Sequence, residues 1–328
     1  LVRNCYFVEL NQTNGMIYFY NMIINDYGSI MMINSKLRGT ITALVTPFNK
    51  DLSVDFDAFE RLVKHQIESG VEGLVICGST GESATLSKTE KIALIVKALE
   101  VADGKIPIIA GTGSNNTFET IDLTILAKEQ GANGVLLVAP YYNKPTQEGI
   151  YHHYMAISEK VDIPIILYNV PGRSGINITA ETQLRLAEEC PNIIATKEAS
   201  ADLEQMAQIM KYAPEGFNLF SGDDALTLPI ISLGGKGVVS VISNYAPADF
   251  SEMTRMALKG KWDKARELHY KLLDLMILNF SESNPTPAKA ALALMGMIKD
   301  HLRLPLVPIT APNKKLIKTA LQEAGLLN

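Results

Sequence analysis

The chain has 328 residues, 47% hydrophobic and 20% charged, the composition of a soluble globular protein. Acids and bases are mixed along the chain at a formal net charge of −5, which excludes a basic stripe for nucleic acid and a polybasic segment for a membrane surface. Three cysteines, Cys5, Cys77 and Cys190, cannot form a paired framework; their lack of CxxC spacing argues against zinc or a redox dithiol and fits a reducing cytoplasm. No apolar run reaches the roughly 18 residues of a membrane-spanning helix.

The first 30 residues stand apart, holding five Asn and four of the twelve Tyr but three charged residues. Their apolar stretch from Met16 to Ile24 is interrupted by Asn21 and is too short to cross a bilayer. Without a basic start or a small-residue cleavage site it also makes a poor signal peptide. Met31-Met32 immediately precede the regular pattern, so residues 1–31 are expected to be an extension outside the fold, either disordered or the product of a start codon placed too far upstream.

From Gly39 onward short β-branched runs alternate with amphipathic stretches. In chain order the pattern predicts strand 40–46, helix 55–69, strand 73–77, helix 87–101, strand 106–110, helix 117–130, strand 134–138 and helix 147–160. It continues with strand 163–168, helix 179–189, strand 193–196, helix 201–212, and strands 217–220 and 237–241. The strands are short, apolar on both faces and bounded by Gly, Pro or polar residues, as buried parallel strands are. Ser87 with Glu90 reads as a capping box, and Gly70 and Gly131 as helix stops. Eight such units in about 200 residues predict a (β/α)8 TIM barrel. The rival is an open doubly wound sheet, which usually has fewer strands and a Gly-rich dinucleotide loop. Here the first strand ends in Thr46-Pro47-Phe48 with no GxGxxG. After Ser243 the pattern is helical, roughly 247–259, 261–280, 285–298 and 314–324. The expected organisation is therefore an extension at 1–31, a catalytic barrel at 32–245 and a C-terminal helical appendage at 246–328.

Chemistry in such a barrel gathers at the C-terminal ends of the strands. Lys197 ends the apolar run Asn192-Ile193-Ile194-Ala195-Thr196, just before the helix-like stretch Glu198-Ala199-Ser200. A lysine whose amine faces a dry barrel mouth favours the neutral nucleophile that imine chemistry on a ketone needs; most lysines are simply solvated surface charges. The loop Gly78-Ser79-Thr80-Gly81-Glu82-Ser83 places glycines around two hydroxyls, so its backbone N–H groups can hold a carboxylate; the plainer reading is a tight capped turn. Tyr141-Tyr142-Asn143 and Tyr168 end two further strands. They either cover the rim or shuttle protons near an imine. Arg173, after Pro171-Gly172, is a solvated loop charge or a two-pronged grip on a substrate carboxylate.

Together these motifs, with Lys197-Glu198-Ala199, Ser221-Gly222-Asp223-Asp224, Asn284-Pro285-Thr286-Pro287 and Leu302-Arg303-Leu304-Pro305, closely resemble the dihydrodipicolinate synthase family. That family belongs to the pyruvate-dependent class I aldolase and N-acetylneuraminate lyase superfamily. The similarity runs in register from about Gly39 to the C-terminus. It implies a (β/α)8 barrel with C-terminal helices that condenses pyruvate with L-aspartate 4-semialdehyde on the diaminopimelate route to lysine. The assembly implied is a homotetramer, a dimer of dimers, with neither metal nor cofactor. By the resemblance, Lys197 forms the imine and Tyr168 moves protons beside it. Ser79 and a Tyr142 reaching in from a neighbouring subunit complete the relay. Thr80, the backbone around Val239, and Gly222 contribute to substrate binding, and Arg173 holds the carboxylate of the semialdehyde.

Two departures have consequences. Ser79 stands where the family usually has threonine; the hydroxyl is kept, so the relay is expected to survive. In lysine-sensitive relatives, positions matching Ser83, Ala84, Lys88, Lys91, Asn115, Glu119 and Tyr141 line an inhibitor site. Lys88 and Lys91 replace residues that are often histidine there, and two cations are expected to weaken or abolish feedback. The Gly-Ser-Thr-Gly-Glu form also resembles N-acetylneuraminate lyase, which lacks an arginine at position 173, so an N-acetylneuraminate lyase-like or other 2-keto acid aldolase is the alternative. A metal-dependent aldolase would need clustered His and carboxylates, but adjacent His152 and His153 diverge on a helix. The glycine clusters 111–114 and 234–237 are weak phosphate-loop signals, better read as turns. A barrel retained for binding alone is disfavoured by the retained Lys197, Tyr168, Tyr142 and Arg173.

Overall fold

The computed structural model describes residues 37–328; the expected extension 1–31, with Cys5, lies outside the described residues. Eight parallel strands close in sequence order into one barrel. They are β1 Gly39–Ala43, β2 Gly73–Ile76, β3 Ile108–Gly111, β4 Gly134–Val138, β5 Ile165–Asn169, β6 Ile193–Glu198, β7 Asn218–Ser221 and β8 Gly237–Ser240. β1 pairs with β2 on one side and β8 on the other, so the sheet has no edge and the open-sheet alternative falls away.

Helices follow the strands in turn: α1 Phe56–Glu68, α2 Lys88–Ala102, α3 Thr117–Glu129, α4 Gln147–Lys160, α5 Ala180–Glu189, α6 Leu203–Tyr212, α7 Thr227–Ser232 and α8 Pro247–Leu258. Three more, α9 Trp262–Leu278, α10 Thr286–Leu294 and α11 Ala311–Glu323, complete the C-terminal part. Local chemistry sets the starts. Asp55, Asn116, Thr146, Thr179 and Asp202 each accept a first-turn N–H, and Ser87 with Glu90 forms the full capping box. Each such cap stabilises by about 1 kcal/mol. Gly70 and Gly131, at positive φ, stop α1 and α3 as expected. α8 lies against the β1/β8 seam, where Thr40 and Thr254 hydroxyls meet at 3.0 Å.

Strands that are apolar on both faces build two cores. Ile41, Val75, Ile109, Leu136, Ile166, Phe220 and Val239 fill the barrel. Leu74, Ile108, Val135, Leu137, Leu167, Leu219 and Val238 pack against the helices. One irregularity has chemical consequences. Ile165 pairs with Ile193, but Ile166 pairs with Ala195, leaving Ile194 as an extra residue. Ile193 faces the helices, whereas Ile194 and Ala195 both join the interior. Strict alternation from Ile193 would point Lys197 outward; the bulge turns it inward.

Some boundaries differ from the sequence pattern. β6 runs through Lys197 and Glu198, so the stretch 198–200 is not helical, and α6 begins after Ala201 at φ +60° and the Asp202 cap. Hydrogen bonds to Glu198 hold that polar strand end, a signal that apolar periodicity does not carry. α7 is six residues long, too short to show a helical period, and was not expected. α11 starts at Ala311 with Pro312 in its first turn, where a proline costs no intrahelical bond.

His153 on α4 is buried, with Nδ1 2.9 Å from Thr117 Oγ1, and burial pushes its pKa from 6.5 down to about 4. The folded state therefore holds it neutral while the unfolded chain protonates near 6.5. Its contribution to stability is intact above pH 6.5 and is lost as pH falls toward 4. Urea titrations of the protein and of His153→Gln should diverge across that window by up to roughly 3 kcal/mol, the unsubstituted protein losing more. Parallel pH profiles would contradict this.

Candidate active site

The C-terminal ends of the strands open into a cavity of about 720 Å³. Its wall includes Ser79 after β2, Tyr141 after β4, Tyr168 on β5, Arg173 in the helical turn Pro171–Ser174, and Asn284 ahead of α10. Lys197 is 5% exposed and does not itself line this wall, but its Nζ lies 4.1 Å from the centroid of the Tyr168 ring, which does. The two residues are direct register partners on β5 and β6. Among the described residues no carboxylate lies in ion-pair range of Lys197 Nζ.

After β2, Ser79–Gly81 forms a 3₁₀ turn. The N–H groups of Gly81, Glu82 and Ser83 bond to carbonyls within it, which removes these three from the expected anion cradle. Thr80 is buried, and its Oγ1 accepts from Asn284 Nδ2 at 3.0 Å; Ser79 is exposed at the cavity. Arg173 Nη2 donates to the Asn284 carbonyl at 3.3 Å. Asn284 thus spans two residues that sequence reasoning assigned to substrate. Its Oδ1 is buried without a partner. The Asn-Pro-Thr-Pro motif flagged the segment but not this function. Val239 lies in the barrel interior beside Ile41. Just behind it, buried Asp224, with its pKa raised to about 6 by burial, accepts the N–H groups of Val241 and Ile242 at 3.1 and 2.8 Å. Gly222 donates to Glu198 O at 2.7 Å, and a Cβ there would stand 2.6 Å from that of Ala199, so close packing also accounts for this glycine.

Tyr142 is not brought to the cavity. It is 87% exposed at φ +72°, a strained setting for a tyrosine. Its loop is tied down: Asn115 Nδ2 donates to Tyr141 O at 3.1 Å, and Asn143 Nδ2 to Asn115 O at 2.9 Å. Of the proposed inhibitor set, Ser83, Ala84, Lys88, Lys91, Glu119 and Tyr141 line the cavity, joined by Asp122, and Asn115 does not.

A latch behind the site was missed. Glu82 and Lys289 form a fully buried pair at 2.6 Å, with Lys289 Nζ 4.3 Å from the Phe48 ring centroid. Burial depresses the Lys289 ammonium, and Glu82 opposes the shift. The Arg303 N–H donates to Glu82 at 3.1 Å, while its guanidinium grips Glu90 at 2.5 and 3.0 Å and holds that carboxyl down at about 2. The C-terminal segment is thereby fastened over the turn after β2. Removing one member of such a buried pair costs about 3–5 kcal/mol.

The rival chemistries find little here. Among the described residues no group of three or more His, Cys, Asp or Glu could hold a metal. His152 pairs with Glu148, away from His153. In the 111–114 cluster, a Cβ on Gly111 would stand 2.3 Å from Cys77 O and one on Gly113 2.4 Å from Val138 N, so these glycines serve close approach of backbone.

A closed parallel barrel with a buried lysine against a tyrosine at its C-terminal mouth defines a barrel enzyme. The chain belongs to the dihydrodipicolinate synthetase family, whose pattern matches residues 36–324. It is 53% identical over 293 residues to a 4-hydroxy-tetrahydrodipicolinate synthase of Koribacter versatilis, covering 89% of this chain and 97% of that protein. The fold is similar to that of a dihydrodipicolinate synthase from Cyanidioschyzon merolae solved with lysine bound: TM-score 0.87, 46% identity, 89% of this chain and 99% of the other. It is likewise similar to a monomeric dihydrodipicolinate synthase variant: TM-score 0.88, 45% identity, 90% and 99%.

Proposed function

We propose that this chain is a lyase that condenses pyruvate with L-aspartate 4-semialdehyde to 4-hydroxy-tetrahydrodipicolinate, on the diaminopimelate route to lysine in the cytoplasm. The observation that carries this reading is Lys197, buried inside the barrel with its amine 4.1 Å from the Tyr168 ring centroid. The amine attacks the keto carbon of pyruvate, water leaves, and the resulting iminium draws electrons from the neighbouring methyl. Loss of a methyl proton gives an enamine, and its carbon attacks the aldehyde. Tyr168 carries protons beside the imine, and Ser79, which lines the same cavity, takes part in the relay. Thr80, Gly222 and the backbone around Val239 hold pyruvate, and Arg173 at the wall takes the carboxylate of the semialdehyde.

Tyr142, exposed and fixed at positive φ, has no work within its own barrel. This supports its donation to the relay of a second subunit, hence a homo-oligomer, a tetramer built as a dimer of dimers. Among the described residues the barrel runs to 245 and the helical region covers 246–328. No helix among the described residues is long and apolar enough to cross a membrane.

An assay of pyruvate with aspartate semialdehyde, run against N-acetylmannosamine as competing acceptor, tests the reading. The semialdehyde is expected to be preferred by at least about 100-fold in kcat/KM. Preference for the sugar would establish the lyase-like alternative. Feedback is expected to be weak, because Lys88 and Lys91 both line the cavity. An inhibition constant for lysine below about 1 mM, equivalent to roughly 4 kcal/mol of binding, would contradict this.

A further inference from the structure

The residues next along from the Tyr168–Lys197 pair, Asn169 and Glu198, are also register partners. Alternation along the strands puts them on the outer face of the sheet, behind the reacting pair. The Glu198 carboxylate is fully buried and meets four donors: Asn169 Nδ2 at 2.9 and 3.2 Å, Gln205 Nε2 at 2.7 Å, Gln183 Nε2 at 3.2 Å and the Ser200 N–H at 3.2 Å. All four are neutral, and among the described residues none of the ion pairs involves Glu198. Burial raises its pKa against the pull of these hydrogen bonds. A carboxylate buried without a counter-ion is a poor choice for stability alone, because a neutral residue could occupy the site at lower desolvation cost. What it supplies is acceptor capacity with no donor of its own. The Asn169 carbonyl oxygen is committed to the Ile178 N–H at 2.9 Å, so its amide nitrogen must face Glu198.

The bulge gives this contact its importance. Four register pairs follow it, Ile166–Ala195, Leu167–Thr196, Tyr168–Lys197 and Asn169–Glu198, and a one-residue slip there returns Lys197 to the outer face. We propose that Glu198 is a positioning residue, whose cross-strand bond to Asn169 pins the β5–β6 register beyond the bulge and so sets the Lys197 amine against Tyr168. The proposal rests on Lys197 being the imine lysine.

Glu198→Gln tests it, because the new amide nitrogen confronts donors. Per folded molecule, judged by near-UV circular dichroism, borohydride trapping with pyruvate is expected to slow by at least about 10-fold, and kcat to fall in step. KM for the semialdehyde should change less than about 2-fold. The double variant Asn169→Asp with Glu198→Gln exchanges donor and acceptor and should recover most of the trapping rate. Gln205→Met, which spares the cross-strand bond, should lower stability without slowing trapping. If Glu198→Gln does not fold, Asn169→Ser, which deletes the cross-strand donor, carries the same expectation. Full-rate trapping in Glu198→Gln or Asn169→Ser, or a double variant no faster than Glu198→Gln, overturns the pin. Absence of any adduct in the unsubstituted protein overturns the assignment of Lys197 itself.

Discussion

Lys197→Ala is expected to lower the rate of condensation by at least about 10⁴-fold while the barrel stays folded. The loss is large because the substitution removes the atom that bonds to pyruvate, and the geometry offers no substitute. Lys289, the other buried lysine among the described residues, is held by Glu82 at 2.6 Å. Lys88 and Lys91 reach the cavity from α2, whereas Lys197 is the register partner of Tyr168. Folding is spared because the change breaks no ion pair among the described residues. It gives up a van der Waals contact with the Tyr168 ring. Steady-state turnover beside a circular dichroism melt separates the two effects. An active alanine variant would mean that another group forms the intermediate.

Gly237→Ala should have a large effect on stability. Gly237 begins β8, has φ +151°, and pairs with Gly39 across the seam that closes the barrel. A Cβ at Gly237 would stand 1.9 Å from Gly39 O and 2.7 Å from Gly39 N. Both are backbone atoms, so no side chain can swing aside, and the Gly39 N–H is already bonded to Lys236 O at 2.8 Å. The seam must spread, or β8 must lose its register. Either costs at least about 3 kcal/mol, a large share of the stability of an ordinary domain. For a chain of this size that lowers Tm by roughly 4 °C or more. An unchanged melting curve would show that the seam closes less tightly than the backbone distances indicate.

The barrel was legible in the sequence because its strands are buried on both faces and its helices carry capping residues, signals that survive without tertiary knowledge. Lys197, Tyr168, Thr80 and Arg173 stood out because they fall at strand ends, where barrels place their chemistry. The orientation of Lys197 was less accessible. Counting by twos from Ile193 sends it outward, and the bulge at Ile194 is set by packing between β5 and β6. The end of β6 differs for a related reason: Glu198-Ala199-Ser200 reads as a helix-like stretch until the partners of Glu198 are known. Asn284 and Arg303 fall in sequence motifs and Lys289 does not, but the roles of all three depend on contacts more than 200 residues away, to Thr80, Glu90 and Glu82 respectively. Periodicity reports which face of an element is buried, not which distant element covers it.

The account turns on whether the Lys197 amine bonds to a keto acid, and mass spectrometry after borohydride reduction in the presence of pyruvate tests this most directly. A reduced pyruvate adduct is predicted on the peptide containing Lys197 and nowhere else, and it should be absent when borohydride or pyruvate is omitted. An unmodified Lys197 in protein that still turns over, or an adduct on another lysine, would contradict it.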